Sequence, residues 1–286
     1  MSTLSFPKAR YEAGIADFGN GSFAYLQPDG GWGLSNSGLV TSDGDAFLID
    51  TMFDYAHTRA MLESFRRASD TKIRTLFNTH HNGDHCYGNA LVEGAEIVAT
   101  EDARTAMTHE TPDGLARLMK VAPGMGLTGE YFLHCFGRFE FGGIDAKLPD
   151  QTFHGHLTRQ VGAKSVELIE VGPAHTGGDA IAYVPQDKTV FTGDILFIEG
   201  HPIIWAGPVG NWIAACERIE AMDVENIVPG HGPITDKNGV ARLREYLAYI
   251  RDEAKGRCDA GMSAFEAAAI FPSRISRTGA MPNASP

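Results

Sequence analysis

Two periodicities run along this chain, and their order predicts short strands separated by a few amphipathic helices. Two apolar runs, Gly38–Thr41 and Ala46–Asp50, flank Ser42-Asp43-Gly44-Asp45. An Asp-Gly pair between such runs predicts a hairpin. Ser22–Gln27 reads as a shorter strand ahead of it. Met61, Leu62, Phe65 and Ala68 recur at helical spacing. Ile73–Asn78 and Glu96–Ala99 read as strands. Glu101–Lys120 has a helical pattern that Pro112-Asp113-Gly114 splits in two. The Gly-rich stretch Val121–Gly129 predicts a mobile loop, which carries on into the flexible segment Tyr131–Phe136. Gln151–Leu157, Lys164–Val171, Ala180–Val184, Lys188–Thr192 and Asn226–Val228 read as strands. Trp212–Met222 reads as a helix, and Leu243, Tyr246, Leu247 and Ile250 mark a final amphipathic one. Strands, helix, ligand-rich loop and helices recur before and after about residue 145, with no short-period repeat. Residues 1–270 are expected to form one domain, and the polar stretch 271–286 a C-terminal tail that frays.

Composition narrows the function classes. The chain has 286 residues, 43% hydrophobic and 21% charged, which is ordinary for a globular protein and excludes disorder of the bulk. The net charge of -12 repels phosphate backbones, so nucleic acid is not an expected ligand. No run of about 18 apolar residues occurs, so no membrane span is expected. Met1–Arg10 lacks the apolar core of a secretion signal. Cys86, Cys135, Cys216 and Cys258 have no paired short spacing and are expected as free thiols. These features together predict a cytoplasmic location.

Chemistry gathers at strand ends. Four of them run into candidate metal ligands: His80 with Asp84 and His85, then His175, Asp194 and His231. Each lies in a turn containing Gly or Pro, such as Thr192-Gly193-Asp194 and Pro229-Gly230-His231-Gly232. Strands deliver side chains rigidly to a sheet edge, and glycines let the backbone pass close to an ion. Imidazole and carboxylate together suit a zinc site that keeps a position open for water. Taken singly, a His beside Gly or an Asp after a strand is more often a turn or cap residue. Three His and one Asp between His80 and His85 have little structural purpose other than metal binding.

In this order, Phe47-Leu48-Ile49-Asp50-Thr51, Thr79-His80-His81-Asn82-Gly83-Asp84-His85, Ala174-His175-Thr176-Gly177-Gly178-Asp179, Phe191-Thr192-Gly193-Asp194 and Val228-Pro229-Gly230-His231-Gly232 resemble the motifs of the metallo-β-lactamase superfamily. The resemblance covers roughly Ser22 to Ile250. It implies an α/β fold, a four-layer αββα sandwich with the metal site at one edge between two sheets. It also implies a first ligand set of His80, Asn82 and His175 and a second of Asp84, His85 and His231, bridged by Asp194. An Asp at position 194 matches the hydrolytic, glyoxalase- and lactonase-like branches, and makes β-lactam hydrolysis a poorer match. Asp50 and Asp179 match carboxylates that hold ligand imidazoles in one tautomer; as turn or cap residues they would be equally ordinary.

One residue departs from the family pattern. Asn82 stands where a second His is usual, and His81 is one position out of register, so its side chain points elsewhere. An amide oxygen is a weaker zinc ligand than imidazole. The expectation is one tightly held Zn²⁺ and possible binding of a second. The resemblance implies a metal-dependent hydrolase in which a zinc-bound hydroxide attacks a small ester, lactone or thioester-like substrate, with Asp84 in a catalytic role. The aromatic and aliphatic loop after Asp194 is a candidate pocket wall, with His201 and Trp205 as substrate contacts, although Trp205 is as readily plain core. Cys86 and Tyr87 follow the metal motif directly, and packing is the commoner role for such a Cys. The alternative is hydrolytic dehalogenation of an activated haloaromatic at a mainly mononuclear site. An iron oxygenase and a non-catalytic binding protein fit the residues less well. The expected partner is a small-molecule substrate, with a homodimer possible by analogy alone.

Overall fold

Residues 11–28 and 31–270 are described by the computed structural model of the chain. Seven strands form the first sheet in chain order: β1 (Gly14–Asp17), β2 (Ser22–Leu26), β3 (Ser37–Ser42), β4 (Asp45–Ile49), β5 (Ile73–Phe77), β6 (Glu96–Thr100) and β7 (Gln151–Phe153). β1 to β4 pair antiparallel, and β4 to β7 pair parallel. The second sheet holds β8 (His156–Val161), β9 (Lys164–Glu170), β10 (Ala180–Val184), β11 (Thr189–Phe191) and β12 (Asn226–Val228) in the order β12-β11-β10-β9-β8. The β3–β4 hairpin turns at Asp43-Gly44, both at positive φ, as the Asp-Gly pair predicts.

Period-two alternation sorts each strand's side chains between two cores. From β4, Phe47 and Ile49 meet Leu168, Ala182 and Phe191 of the other sheet, while Ala46 and Leu48 face Met61 and Phe65 of helix α1 (Tyr55–Ala68). Ile181 and Val190 of the second sheet pack outward against Trp212 and Leu247. The helices follow in chain order: α2 (Gly83–Cys86), α3 (Glu101–Met107), α4 (Pro112–Val121), α5 (Gly126–Phe136), α6 (Val209–Ala221), α7 (Lys237–Asp259) and α8 (Ala264–Ala269). With α1 on one outer face and α6 and α7 on the other, the layers run α, β, β, α, as expected.

Three expectations fail. Val121–Gly129 is not a loop: it contains the short 3-10 turn Ala122–Gly124 and enters α5, which also takes up Tyr131–Phe136. Gln151–Leu157 is not one strand. Gly155, at φ +70, ends β7 and sends the chain into β8 of the opposite sheet. Trp205 is not core, since 58% of its surface is exposed. The expected tail 271–286 lies outside the described residues. Among those described, no helix is long and apolar enough to cross a membrane. All four cysteines are free, and only Cys258 is exposed.

Candidate metal centre

The ends of β4, β5, β9, β11 and β12 meet at one edge of the sandwich, where Ala180 N–H donates to Thr79 O across the sheets (2.8 Å). At this edge the predicted ligands converge on Asp194. On one side, Asp194 Oδ2 lies 3.3 Å from His175 Nε2 and 3.8 Å from His80 Nε2. Asn82 Oδ1 completes this group, 2.9 Å from His175 Nε2 and 3.1 Å from His80 Nε2. On the other side, His85 Nε2 is 3.1 Å from Asp194 Oδ1. His231 Nε2 is 3.4 Å from Asp194 Oδ2 and 3.3 Å from Asp84 Oδ2. The donor atoms of His80, His85 and Asp194, and those of Asp84, His85 and His231, each lie within 4.8 Å of one another.

Acceptors behind the rings fix their tautomers. His85 Nδ1 donates to Asp50 Oδ2 (2.9 Å) and His175 Nδ1 to the Ile203 carbonyl (2.6 Å). The Thr79 hydroxyl gives its hydrogen to Asp50 Oδ2 (2.8 Å), so it can only accept from His80 Nδ1 (3.1 Å). In neutral His80, His85 and His175, Nε2 is therefore a bare lone pair. These lone pairs face carboxylate and amide oxygens that also lack hydrogens. His85 Nε2 and Asp194 Oδ1 are buried without any hydrogen-bond partner. Buried acceptors facing one another cost free energy unless a cation lies between them. Imidazole, carboxylate and amide oxygen at these spacings fit a divalent metal ion.

The charges of the two sides differ. Burial pulls the His85 imidazole down, but Asp194, Asp50 and Asp84 outweigh it and hold the ring well above its usual pKa, so that a proton and a metal ion compete for its Nε2. His231 behaves likewise: Asp194 and Asp84 overcome burial and push it up to about 9. His80 is held well below the usual value by burial, with the charge of His85 adding to it. Negative charge is thus concentrated around Asp84, His85 and His231. The side with Asn82 has only its share of Asp194.

Turn geometry supports the ligands from behind. Asp50 sits at φ 60, a left-handed conformation, and also accepts Thr79 N–H (2.7 Å). Asp179 accepts from Thr176 N–H (2.8 Å), Thr176 Oγ1 (2.6 Å) and Ala174 N–H (3.2 Å), closing the turn that carries His175. Asn36 donates through Nδ2 to the carbonyls of Pro229 (3.0 Å) and Gly232 (2.8 Å) on either side of His231. A Cβ on Gly230 would lie 2.0 Å from Asp194 Oδ1, so only glycine allows this approach. Phe197 stacks flat on His231, centroids 5.1 Å apart.

The remaining expected residues fall in different places. His81 turns away from the cluster, and its Nε2 lies 3.1 Å from Glu110 Oε1. Hydrogen bonding from His81 and from the Asn82 side chain, with the charge of His81, outweighs burial and holds Glu110 below the usual carboxyl range. Cys86 is packed: its thiol donates to the His81 carbonyl (3.2 Å), and burial pushes its pKa well up. Trp205 and Ala206 N–H both donate to the His175 carbonyl (3.0 and 3.1 Å). The exposed Trp205 ring meets Trp32, which also contacts Tyr131 and Phe136 of α5, so these rings form an aromatic rim beside the cluster. His201 is not directed at the cluster. It bonds the Tyr246 hydroxyl (2.8 Å) and lines a recess of about 260 Å³ with Tyr246, Leu247 and Ile250. Asn36, Thr79, the Ile203 carbonyl and Glu110 escape sequence reasoning. Thr79 alone had a signal, being next to the motif.

Comparison with known proteins agrees with this geometry. The family model described as metallo-beta-lactamase superfamily matches residues 30–231. A linear primary-alkylsulfatase from Pseudomonas sp. is 21% identical over 242 residues, 75% of this chain and 46% of that protein. A hydroxyacylglutathione hydrolase from Methylococcus capsulatus is 28% identical over 214 residues, 72% of this chain and 65% of that protein. The chain thus spans about half to two thirds of the length of these curated relatives. Among solved structures, a metallo-beta-lactamase from Pontibacter korlensis superposes with a TM-score of 0.61 at 18% identity, covering 83% of this chain and 99% of that one. At that identity the likeness is one of fold.

Proposed function

This chain belongs to the metallo-β-lactamase superfamily, and from that premise we propose that it is a metal-dependent hydrolase of a small ester, lactone or thioester-like substrate with an apolar group. The observation that carries the reading is the convergence of the His80, His85 and His175 Nε2 atoms and the Asn82 amide oxygen on Asp194 in one buried cluster. His80, Asn82, His175 and Asp194 would hold one zinc ion, and Asp84, His85, His231 and Asp194 a second, more tightly held one. When bound, zinc lowers the pKa of a coordinated water from about 15.7 toward 7 and offers positive charge to a developing oxyanion.

The protein's own groups do the rest. Burial pushes the Asp84 carboxyl up, but His85 and His231 prevail and hold it lowered, so it is ionised at neutral pH. It orients the nucleophile and accepts its proton. Asp50, Thr79 and the Ile203 carbonyl hold the imidazoles in the tautomer that presents Nε2. Trp205, Trp32 and Tyr131 supply an apolar face for an acyl or alkyl group. The two relatives, a hydroxyacylglutathione hydrolase and a linear primary-alkylsulfatase, are in keeping with such a substrate.

The test is turnover by the zinc-loaded chain on a panel of p-nitrophenyl esters, lactones, acyl thioesters and alkyl sulfates. Activity lost on chelation and restored by zinc is expected; a metal-loaded chain inert on the whole panel overturns the proposal. Asn82 favours one alternative, hydrolytic dehalogenation of an activated haloaromatic at a mainly mononuclear site. Chloride release from a polychlorinated aromatic nitrile, exceeding ester turnover, would select it.

A further inference from the structure

Asp84 and His231 offer donor atoms to the same ligand set, but their backbones come from different sheets. Asp84 lies in α2, which follows β5 of the first sheet, and His231 lies in the turn after β12 of the second. Among the described residues, no backbone hydrogen bond joins these two turns directly. Their side chains nevertheless meet, with Asp84 Oδ2 3.3 Å from His231 Nε2. A working site needs its ligand atoms held to within about 0.5 Å. The gap between the two turns therefore has to be fixed from elsewhere.

Two adjacent residues just ahead of β3 touch both turns. The Ser35 hydroxyl donates to the Asp84 carbonyl. Asn36 spans the other turn: its N–H donates to the Gly230 carbonyl (2.7 Å), and its Nδ2 to the carbonyls of Pro229 (3.0 Å) and Gly232 (2.8 Å). Both residues are buried. The Asn36 amide can point only one way, because its Oδ1 accepts Gln27 N–H (3.3 Å) and the NH₂ is left for the two carbonyls. Gln27, just after β2, also donates through Nε2 to the Ser35 carbonyl (2.9 Å), so the pair is braced from behind. We propose that Ser35 and Asn36 are positioning residues that form one clamp, and that this clamp sets the distance from Asp84 to His231. The inference rests on the proposed role of those two residues as ligands of the more tightly held ion. It adds a geometric reason to the electrostatic one for tight binding there: two ligands from separate sheets are spaced before an ion arrives, so binding does not have to draw them together.

The test is a double-variant cycle, read by chelator competition and by the visible absorption of the cobalt-substituted protein. Ser35→Ala and Asn36→Ala should each weaken the tighter metal equivalent by about 10- to 100-fold, the usual range for an outer partner. The cobalt bands of that equivalent should shift, because its ligand geometry changes. The looser equivalent should change little, which reports that the chain is folded. A clamp with one jaw open no longer sets the gap, so the double variant should bind no more weakly than the weaker of the two single ones. Two independent supports would instead multiply their losses. Multiplied losses, an equal loss at both equivalents, or unchanged affinity in either single variant overturns the inference. If Asn36→Ala does not fold, Ser35→Ala decides alone: it removes one hydroxyl and leaves the bonds of Asn36 in place, and unchanged affinity and cobalt bands overturn the clamp. His231→Ala separates this inference from the reading of the ligands. If it leaves both equivalents unchanged, His231 is not a ligand and the clamp fails with that reading. A loss from His231→Ala with none from Ser35→Ala or Asn36→Ala removes only the clamp.

Discussion

His85 Nδ1 lies 2.9 Å from Asp50 Oδ2, and Asp50 reaches that point from a left-handed backbone at the end of β4. Such a conformation costs about 1–3 kcal/mol in a residue other than glycine. It is tolerated here because the carboxylate also takes two hydrogen bonds from Thr79. Asp50→Asn removes one acceptor from this set and frees the His85 tautomer. Metal at the Asp84, His85 and His231 set should weaken by about 10- to 100-fold, measured by chelator competition.

Gly230→Ala tests the approach of the two turns. The new Cβ would meet Asp194 Oδ1 at 2.0 Å and the backbone of Gly193 at 2.6 Å. Neither can withdraw without moving a ligand. The expected outcome is a loss of about 1–3 kcal/mol in urea unfolding, with metal content reduced as well.

Asp54 gives a pH prediction far from the ligands. It caps α1, accepting from His57 N–H and Nδ1, and from Glu140 N–H in the segment that follows α5. Burial pushes its carboxyl up, but these hydrogen bonds and the charge of His57 outweigh it and leave the pKa lowered from 3.8. A lowered folded-state pKa means stability that is complete above the unfolded value and lost as pH falls through the folded one. Asp54→Ala should cost about 1–2 kcal/mol at pH 7. The gap from the parent chain should narrow as unfolding is repeated below pH 3.8.

Trp205→Ala should leave the unfolding midpoint nearly unchanged, because the ring is 58% exposed. It should raise KM for substrates with a long acyl or aromatic group by about 10-fold, the loss of roughly 1.4 kcal/mol of apolar contact. An acetyl ester should be affected far less. Steady-state kinetics on the two substrates give the comparison.

Much of this architecture is legible in the residues, for identifiable reasons. Phe47-Leu48-Ile49 and Asp43-Gly44 mark a strand and a hairpin because period-two burial and positive φ leave few alternatives. The ligands are visible because turns with glycine bring them to strand ends. Helix α5 is hidden because Leu127, Tyr131 and Leu133 are exposed, so no apolar stripe marks it, and Gly124, Gly126 and Gly129 suggest a loop. The break at Gly155 is written in the sequence, but a single glycine does not say that the next strand changes sheets. His201 lies in the apolar loop that suggested a pocket wall, and only the packing of α7 shows that its ring turns to Tyr246. Glu110 is separated from His81 by β6 and α3, and nothing local to either residue signals that they meet.

The most direct test of the metal centre is an anomalous-scattering map, at the zinc edge, of crystals grown from zinc-loaded protein. The account predicts a full peak about 2.0–2.2 Å from Asp84, His85, His231 and Asp194. It predicts a weaker one among His80, Asn82, His175 and Asp194. No peak beside Asp194 would contradict the metal centre itself, and two peaks of equal full occupancy that resist chelator alike would contradict its asymmetry.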